Sequence, residues 1–243
     1  MTTDAALDLA GYGAVLFDLD GVLTPTADIH EAAWGDMFSA FLHARGADPY
    51  TGADYFEHLD GRRRDEGIRA LLASRGIELP DGSEDDAPED DTVVGLGKRK
   101  NRDFLARVAD GVDPYPGSVA LLDALAAAED GPALAVVSSS RNAVPVLRAA
   151  GLLDRFAVVV DGEVANEEGL PGKPAPDTYL AAARKLGVPA ERAVVVEDAL
   201  SGVRSGAAGK FGLVVGVDRG AGRDELLAAG ANVVVADLGE LVR

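Results

Sequence analysis

The chain has no cysteine, only three histidines, and 23 basic residues against 41 acidic ones. The first absence excludes disulfides and thiolate metal sites, and agrees with a reducing compartment. The second leaves little from which to build a zinc cluster. The third gives a formal net charge of −18 with no basic stripe to offset it, so the surface repels polyanions and nucleic acid is not an expected partner. Long apolar runs are also lacking: each is broken by Gly, Asp or Pro well short of the roughly 18 residues that span a bilayer, so no membrane segment is expected. The opening MTTDAALDLAGYG carries two acids, no basic n-region and no apolar h-region, so no export signal is expected and the protein reads as cytoplasmic.

What is present is ample apolar content, 47% of 243 residues, enough for one large domain or a core with an insert. Short Val/Leu-rich runs recur at 14–18, 133–138, 157–161, 193–197, 212–217 and 232–237. They are nearly continuous rather than alternating, as strands covered on both faces should be. Ala/Leu-rich helical periods lie between them, at 117–128, 143–150, 176–186, 199–208 and 224–229. Alternating strand and helix predicts an α/β fold, a Rossmann-like parallel sheet with helices on both faces. Residues 27–113 break the pattern, with helical periods in EAAWGDMFSAFLHA, RDEGIRALLASRG and GLGKRKNRDFLARVA and no convincing strand. The expected organisation is therefore a core of residues 13–26 and 114–243 with an all-helical insert at 27–113, the chain returning at the Pro/Gly hinge DPYPGS. The acidic stretch Pro80 to Asp91 inside the insert reads as a solvated loop, since it lacks the ligand register of a calcium loop.

In open α/β sheets ligands bind beyond the carboxyl ends of the strands. The first strand ends in Asp18 and Asp20, the second in Ser138, Ser139 and Ser140, the fourth in Glu197 and Asp198; the loop after the third carries GKPAPD with Lys173. Taken singly, the serines read as a cap for a helix starting near Asn142, Glu197 and Asp198 as a cap for the helix from Ala199, and Lys173 as an exposed lysine. Asp18-Leu19-Asp20-Gly21 differs: two acids after a buried run have no packing explanation, because desolvation and mutual repulsion both oppose their ionisation. Four chain segments delivering carboxylates, a hydroxyl and an ammonium to one edge is what metal-assisted phosphoryl transfer requires. SGAAGKF, at 205–211, lacks the Gly-x4-Gly-Lys-Ser/Thr spacing, comes before a strand, and reads as a helix end; no Gly-x-Gly-x-x-Gly follows the first strand.

DLDGVLTPT, VVSSSRN, GKPAPD and VVEDALSG, in this order, resemble the haloacid dehalogenase-like superfamily of phosphotransferases, and more narrowly its β-phosphoglucomutase-like subfamily. The resemblance covers residues 13 to about 235. It implies that Asp18 is a nucleophile forming an aspartyl phosphate and that Asp20 is the acid/base at the sugar oxygen. It further implies that Lys173 and Ser138 hold the transferring phosphoryl group, and that Asp18, Asp20 (through its carbonyl), Glu197 and Asp198 form the site of a Mg²⁺ ion. True dehalogenases lack the second acid. In the insert, the resemblance gives Arg64 of GRRRDEG the grip on the substrate's non-reacting phosphate, and makes Thr26, His30, Trp34 and Lys100 substrate-side residues. Without it, Arg64, His30 and Lys98 to Lys100 read as ordinary helix surface, and Trp34 as packing. Ser140, Arg141 and Asn142 would meet the distal phosphate or the sugar. Three departures stand out: Pro25 where relatives commonly have an acid, the extra acidic loop Pro80 to Asp91, and Gly67 in place of a hydroxyl residue near the arginine.

The resulting expectation is a Mg²⁺-dependent mutase for β-D-glucose 1-phosphate, with a sugar-phosphate phosphatase using the same residues as the alternative. A noncatalytic phosphate sensor is the alternative of another class. The expected partner is a small phosphorylated sugar, and the expected assembly a monomer, with a homodimer left open.

Overall fold

The computed structural model describes residues 8–242; the first seven residues of the stretch read above for an export signal lie outside them. Two compact units emerge, one of residues 8–25 and 113–242 and one of Thr26–Val112.

The first unit opens on β1 (Ala14–Phe17), every residue of which is buried. The chain then leaves for the helical unit: α1 (Thr26–His43), the single turn α2 (Gly52–Asp54) running into a π-helical turn at Tyr55–Leu59, α3 (Arg64–Ser74) and α4 (Val93–Val108). In α1 the buried residues Trp34, Met37, Phe38, Phe41 and Leu42 fall at helical spacing on one stripe. They close a core with Ile68, Leu71 and Leu72 of α3 and Val93 and Leu96 of α4. Gly67 has a packing reason, because a Cβ there would meet Leu59 Cδ2 at 3.1 Å.

The acidic loop is exposed over most of its length, as expected, yet it is tied down. Lys98 donates to the carbonyls of Glu84 and Asp86, Arg99 to that of Pro88 at 2.7 Å, and Arg102 pairs with Glu89 at 2.9 Å. Lys98 and Arg99 are thus occupied by the loop rather than forming a bare basic face, while the adjacent Lys100 is buried.

Back in the first unit follow α5 (Pro116–Ala127), β2 (Ala133–Val137), α6 (Ala143–Ala149), β3 (Val158–Val160), α7 (Gly162–Glu167) and α8 (Asp177–Leu186). β4 (Ala193–Glu197), α9 (Leu200–Ala208), β5 (Leu213–Val217), α10 (Arg223–Ala229) and β6 (Val233–Val235) complete it. All pairings are parallel and the strand order is β3-β2-β1-β4-β5-β6. The expected α/β fold is observed, each strand run trimmed by at most a few residues. α7 was not expected: GEVANE is short and polar, and forms because Asp161 Oδ1 accepts the N–H groups of Glu163 and Val164. Alternate residues of β1 serve opposite faces. Ala14 and Leu16 join Tyr179, Ala182 and Val203 of α8 and α9 in one cluster, while Phe17 meets Phe156 edge-on at 6.2 Å. β1 lies between β2 and β4, where the direction of winding reverses, and the crevice at such a switch point opens beyond its carboxyl end.

Candidate active site

The sheet ladder continues one residue past the strands that matter. Asp18 N–H donates to Val196 at 2.9 Å and Ser138 N–H to Val160 at 3.0 Å, so both side chains rise from backbone fixed by a neighbouring strand. Beyond Asp18 the chain closes a tight turn. Leu23 and Thr24 N–H groups both donate to the Leu19 carbonyl, and Gly21 N–H donates to Thr24. Gly21 sits at φ +87°, and a Cβ there would lie 1.9 Å from Asp198 Oδ2. Glycine is therefore required both for the backbone conformation and for the approach of a carboxylate.

Lys173 is buried and commits its three protons. It is ion-paired with Asp18 Oδ1 and Glu197 Oε1, and donates to the Val137 carbonyl at 3.2 Å. Glu197 is engaged at both oxygens: Oε1 also accepts from the Tyr179 hydroxyl at 3.1 Å, and Oε2 from the Ala199 N–H at 3.0 Å, which leaves Oε2 a lone pair to offer. The Ala199 bond goes to the N-cap residue of α9, ahead of its first-turn amides. α9 can approach this carboxylate only because Gly202 lacks a side chain, whose Cβ would fall 1.7 Å from Oε1. Burial pushes the Asp18 carboxyl well above the usual range; Lys173 pulls against this, while Glu197 and Asp20 reinforce it. Burial alone would lower the Lys173 ammonium, but Asp18 and Glu197 outweigh it and raise the group above ordinary lysine, so it stays cationic. Burial, then the charges of Glu197 and Asp18, raise the Tyr179 hydroxyl, which stays a donor.

Asp20 stands in a different environment. It is half-buried, and its Oδ2 accepts from Ser138 Oγ at 3.3 Å. The Ser138 oxygen in turn accepts the Ser140 N–H at 3.0 Å, and Ser140 Oγ accepts the Asn142 N–H at 3.1 Å. The serine run therefore shapes a turn ahead of α6 rather than capping its first-turn amides. Asn142 is the N-cap residue and makes no side-chain capping bond, and Arg141 lies 3.6 Å from Glu163.

Asp18, Glu197 and Asp198 each present a carboxylate oxygen, all within 4.8 Å of one another. One ammonium faces this group, and Asp20 adds further negative charge to Asp18. An all-oxygen donor set with surplus negative charge fits a hard divalent cation such as Mg²⁺.

In the helical unit, His30, Trp34 and Lys100 come together. His30 stacks on Phe104 at 4.0 Å between ring centroids and is hydrogen-bonded to Lys100, whose ammonium lies 5.0 Å from the Trp34 ring and 4.6 Å from Phe104. Thr26, buried, opens α1. Arg64 opens α3 and donates to Asn101 Oδ1 at 2.7 Å.

Three residues of the α/β unit's site were not singled out in the sequence: Tyr179, Gly202 and Arg219. The first two lie inside or just beyond recognised motifs but carry no chemistry that spacing reveals. Arg219, which donates to the Gly21 carbonyl at 3.0 Å, lies outside every motif.

A family model described as haloacid dehalogenase-like hydrolase matches residues 12–210. The β-phosphoglucomutase of Mycobacterium bovis is 49% identical over 244 residues, spanning 94% of this chain and 91% of its own. Among solved structures, β-phosphoglucomutase from Clostridium difficile aligns with a TM-score of 0.77 at 27% identity, over 95% of this chain and 93% of its own. A variant of CbbY from Rhodobacter sphaeroides in complex with xylulose-1,5-bisphosphate aligns at 0.72 and 26% identity, over 94% and 96%. With a family model matched over most of its length and these relatives matched nearly end to end, the chain belongs to the haloacid dehalogenase-like hydrolase family, in its β-phosphoglucomutase-like branch of phosphatases and phosphomutases.

Proposed function

We propose that the protein is a Mg²⁺-dependent β-phosphoglucomutase, interconverting β-D-glucose 1-phosphate and glucose 6-phosphate through an aspartyl phosphate and a glucose 1,6-bisphosphate intermediate. The observation that carries this reading is the pairing of a buried, lysine-bound carboxylate with a second, differently housed carboxylate two residues on, at the switch point of the sheet. Two carboxylates in contrasting environments can divide nucleophilic from acid/base work.

In this mechanism an Asp18 oxygen attacks phosphorus, forming the Asp18 O–P bond as the ester O–P bond breaks. Asp20 protonates the departing sugar oxygen, and in the reverse transfer removes the proton from the incoming hydroxyl. Lys173 stays cationic and draws negative charge toward itself as the carboxylate meets the phosphoryl group. Ser138 holds a phosphoryl oxygen, and Arg64, Ser140, Arg141 and Asn142 receive the second phosphate and the sugar, for which a guanidinium fork is suited. Thr26, His30, Trp34 and Lys100 form the substrate-side surface of the helical unit. Asp18, Glu197 and Asp198, with the Asp20 carbonyl, would hold Mg²⁺, which when bound supplies positive charge beside the transferring oxygens.

The family description as hydrolase favours a second reading, a sugar-phosphate phosphatase with water as acceptor. Incubation with β-glucose 1-phosphate, catalytic glucose 1,6-bisphosphate and Mg²⁺ separates the two. The mutase yields glucose 6-phosphate with little inorganic phosphate, and both Asp18→Asn and chelation of the metal stop it. Inorganic phosphate without glucose 6-phosphate moves the chain to the phosphatase reading, and no turnover of any phosphate ester to a sensor.

A further inference from the structure

The segment after β5 reaches the aspartate loop from a part of the sequence that carries no motif. Arg219 Nε donates to the Gly21 carbonyl at 3.0 Å, and its NH1 nitrogen to the Ala236 carbonyl at 3.1 Å. The guanidinium carbon lies 3.9 Å over the Tyr115 ring, and NH2 is 3.6 Å from Asp237 Oδ2. One side chain thus joins three segments far apart in sequence.

Its own base is fixed. Asp218 N–H donates to Val235 at 2.8 Å, and Asp218 Oδ1 accepts the N–H groups of Gly220 and Gly222 at 3.0 and 3.1 Å. The backbone that carries the ring beneath the guanidinium is held too, since Tyr115 N–H donates to the Leu23 carbonyl at 3.0 Å. The residue held at the other end is the one with least means of holding itself. Gly21 has no side chain, sits at φ +87° and follows Asp20 directly, with Asp198 packed where a Cβ would be.

We propose that Arg219 is a positioning residue for the acid/base loop: it clamps the Gly21 carbonyl, and so fixes Asp20 and the approach of Asp198 to Gly21. The inference rests on the reading of Asp20 as the acid/base. Arginine is needed because two carbonyls on separate segments are bonded by one planar fork that also stacks on an aromatic face; a lysine ammonium offers a point charge without the plane.

Amide hydrogen exchange on Arg219→Gln, without substrate, tests the clamp. Gly21, Leu23 and Thr24 amides should exchange about tenfold faster, while Val136 and Val195 amides in the central strands keep their protection. With substrate, kcat should fall about tenfold or more with KM changed less than about twofold, and Arg219→Lys should recover only part of the loss. Unchanged loop exchange, a loss of protection shared by the central strands, or a raised KM with kcat intact each overturns the proposal. If Arg219→Gln does not fold, Tyr115→Leu removes the stacking ring and leaves the guanidinium bonds. Loop exchange about threefold faster then supports the clamp, and no change overturns it. Exchange needs no sugar phosphate, so a loosened loop in a protein that makes no glucose 6-phosphate upholds the clamp and removes the mutase reading.

Discussion

Lys173→Met keeps most of the lysine stem and deletes the ammonium. Asp18 and Glu197 are then left buried and facing one another, Glu197 keeping the Tyr179 hydroxyl and the Ala199 amide as donors. Removing one partner of a buried ion pair costs about 3–5 kcal/mol, because the remaining charge is uncompensated. Lys173 serves two carboxylates, so the upper part of that range is expected in urea unfolding at pH 7. The loss should depend on pH. Asp18 is already raised above the ordinary carboxyl by its burial, and its folded form holds a proton more tightly than the unfolded chain does. The penalty for its charge is therefore absent below the unfolded value of about 3.9 and grows as pH rises toward and through the folded one. The deficit of Lys173→Met should shrink on going from pH 7 to pH 4. Adding Glu197→Gln deletes one of the stranded charges and should return about 1–3 kcal/mol, although the double variant stays at least about 100-fold below wild type in phosphoryl transfer. A Lys173→Met protein within about 0.5 kcal/mol of wild type at pH 7, or a double variant no more stable than the single one, refutes the reasoning that the ammonium neutralises this pair.

Two further predictions concern other parts of the chain. Gly21→Ala places a methyl group 1.9 Å from the present position of Asp198 Oδ2, in a backbone conformation that alanine resists. Activity should fall about 100-fold with a stability loss of only about 1–2 kcal/mol, and a kcat within about threefold of wild type would show that the loop tolerates displacement. In the helical unit, burial would raise Asp54, but hydrogen bonds from Arg75 at 2.7 Å and from the amide and hydroxyl of Thr51 at 2.7 and 3.0 Å hold it below the ordinary carboxylate range. A depressed folded value means that its stabilisation is present above the unfolded value of about 3.9 and is lost as pH falls through the folded one. Asp54→Asn should be about 1.5–3 kcal/mol less stable at pH 7, the gap closing toward pH 3; a gap that persists in acid contradicts the ionic account.

The strands were legible because a parallel sheet covered on both faces demands continuous apolar runs, and AVLF, ALAVV and AVVVE supply them. Their lateral order was not, since periodicity carries no information about which strand neighbours which. Residue type and position at strand ends singled out Asp18, Asp20, Lys173, Glu197 and Asp198. The same reasoning could not foresee that Lys173 would be buried between two of them, or that Glu197 would also accept a tyrosine hydroxyl. Those are distances between segments, fixed only when α8 and α9 pack on the sheet. The acidic loop shows the same limit: its sequence predicts exposure, but Lys98 and Arg99 of α4 bond its carbonyls, which composition cannot express.

The leucine between the two aspartates accounts for the spacing of the pair. Leu19 is fully buried, and its carbonyl gathers the N–H groups of Leu23 and Thr24 and the Thr24 hydroxyl at 3.3 Å, so it anchors the turn from within. The chain bends at Leu19, so it is the turn and not strand alternation that lets the residues on either side of it emerge together. Both carboxylates here do so toward the end of β2: Asp18 meets the lysine that bonds the Val137 carbonyl, and Asp20 meets the Ser138 hydroxyl one residue further. Moving either acid by one position would send it into the core or away from its partner. An Asp-Leu-Asp sequence at the end of a buried strand therefore brings one carboxylate into an ion pair and leaves the other half-buried beside it, which is the asymmetry that a nucleophile and a proton carrier acting on one phosphate ester need.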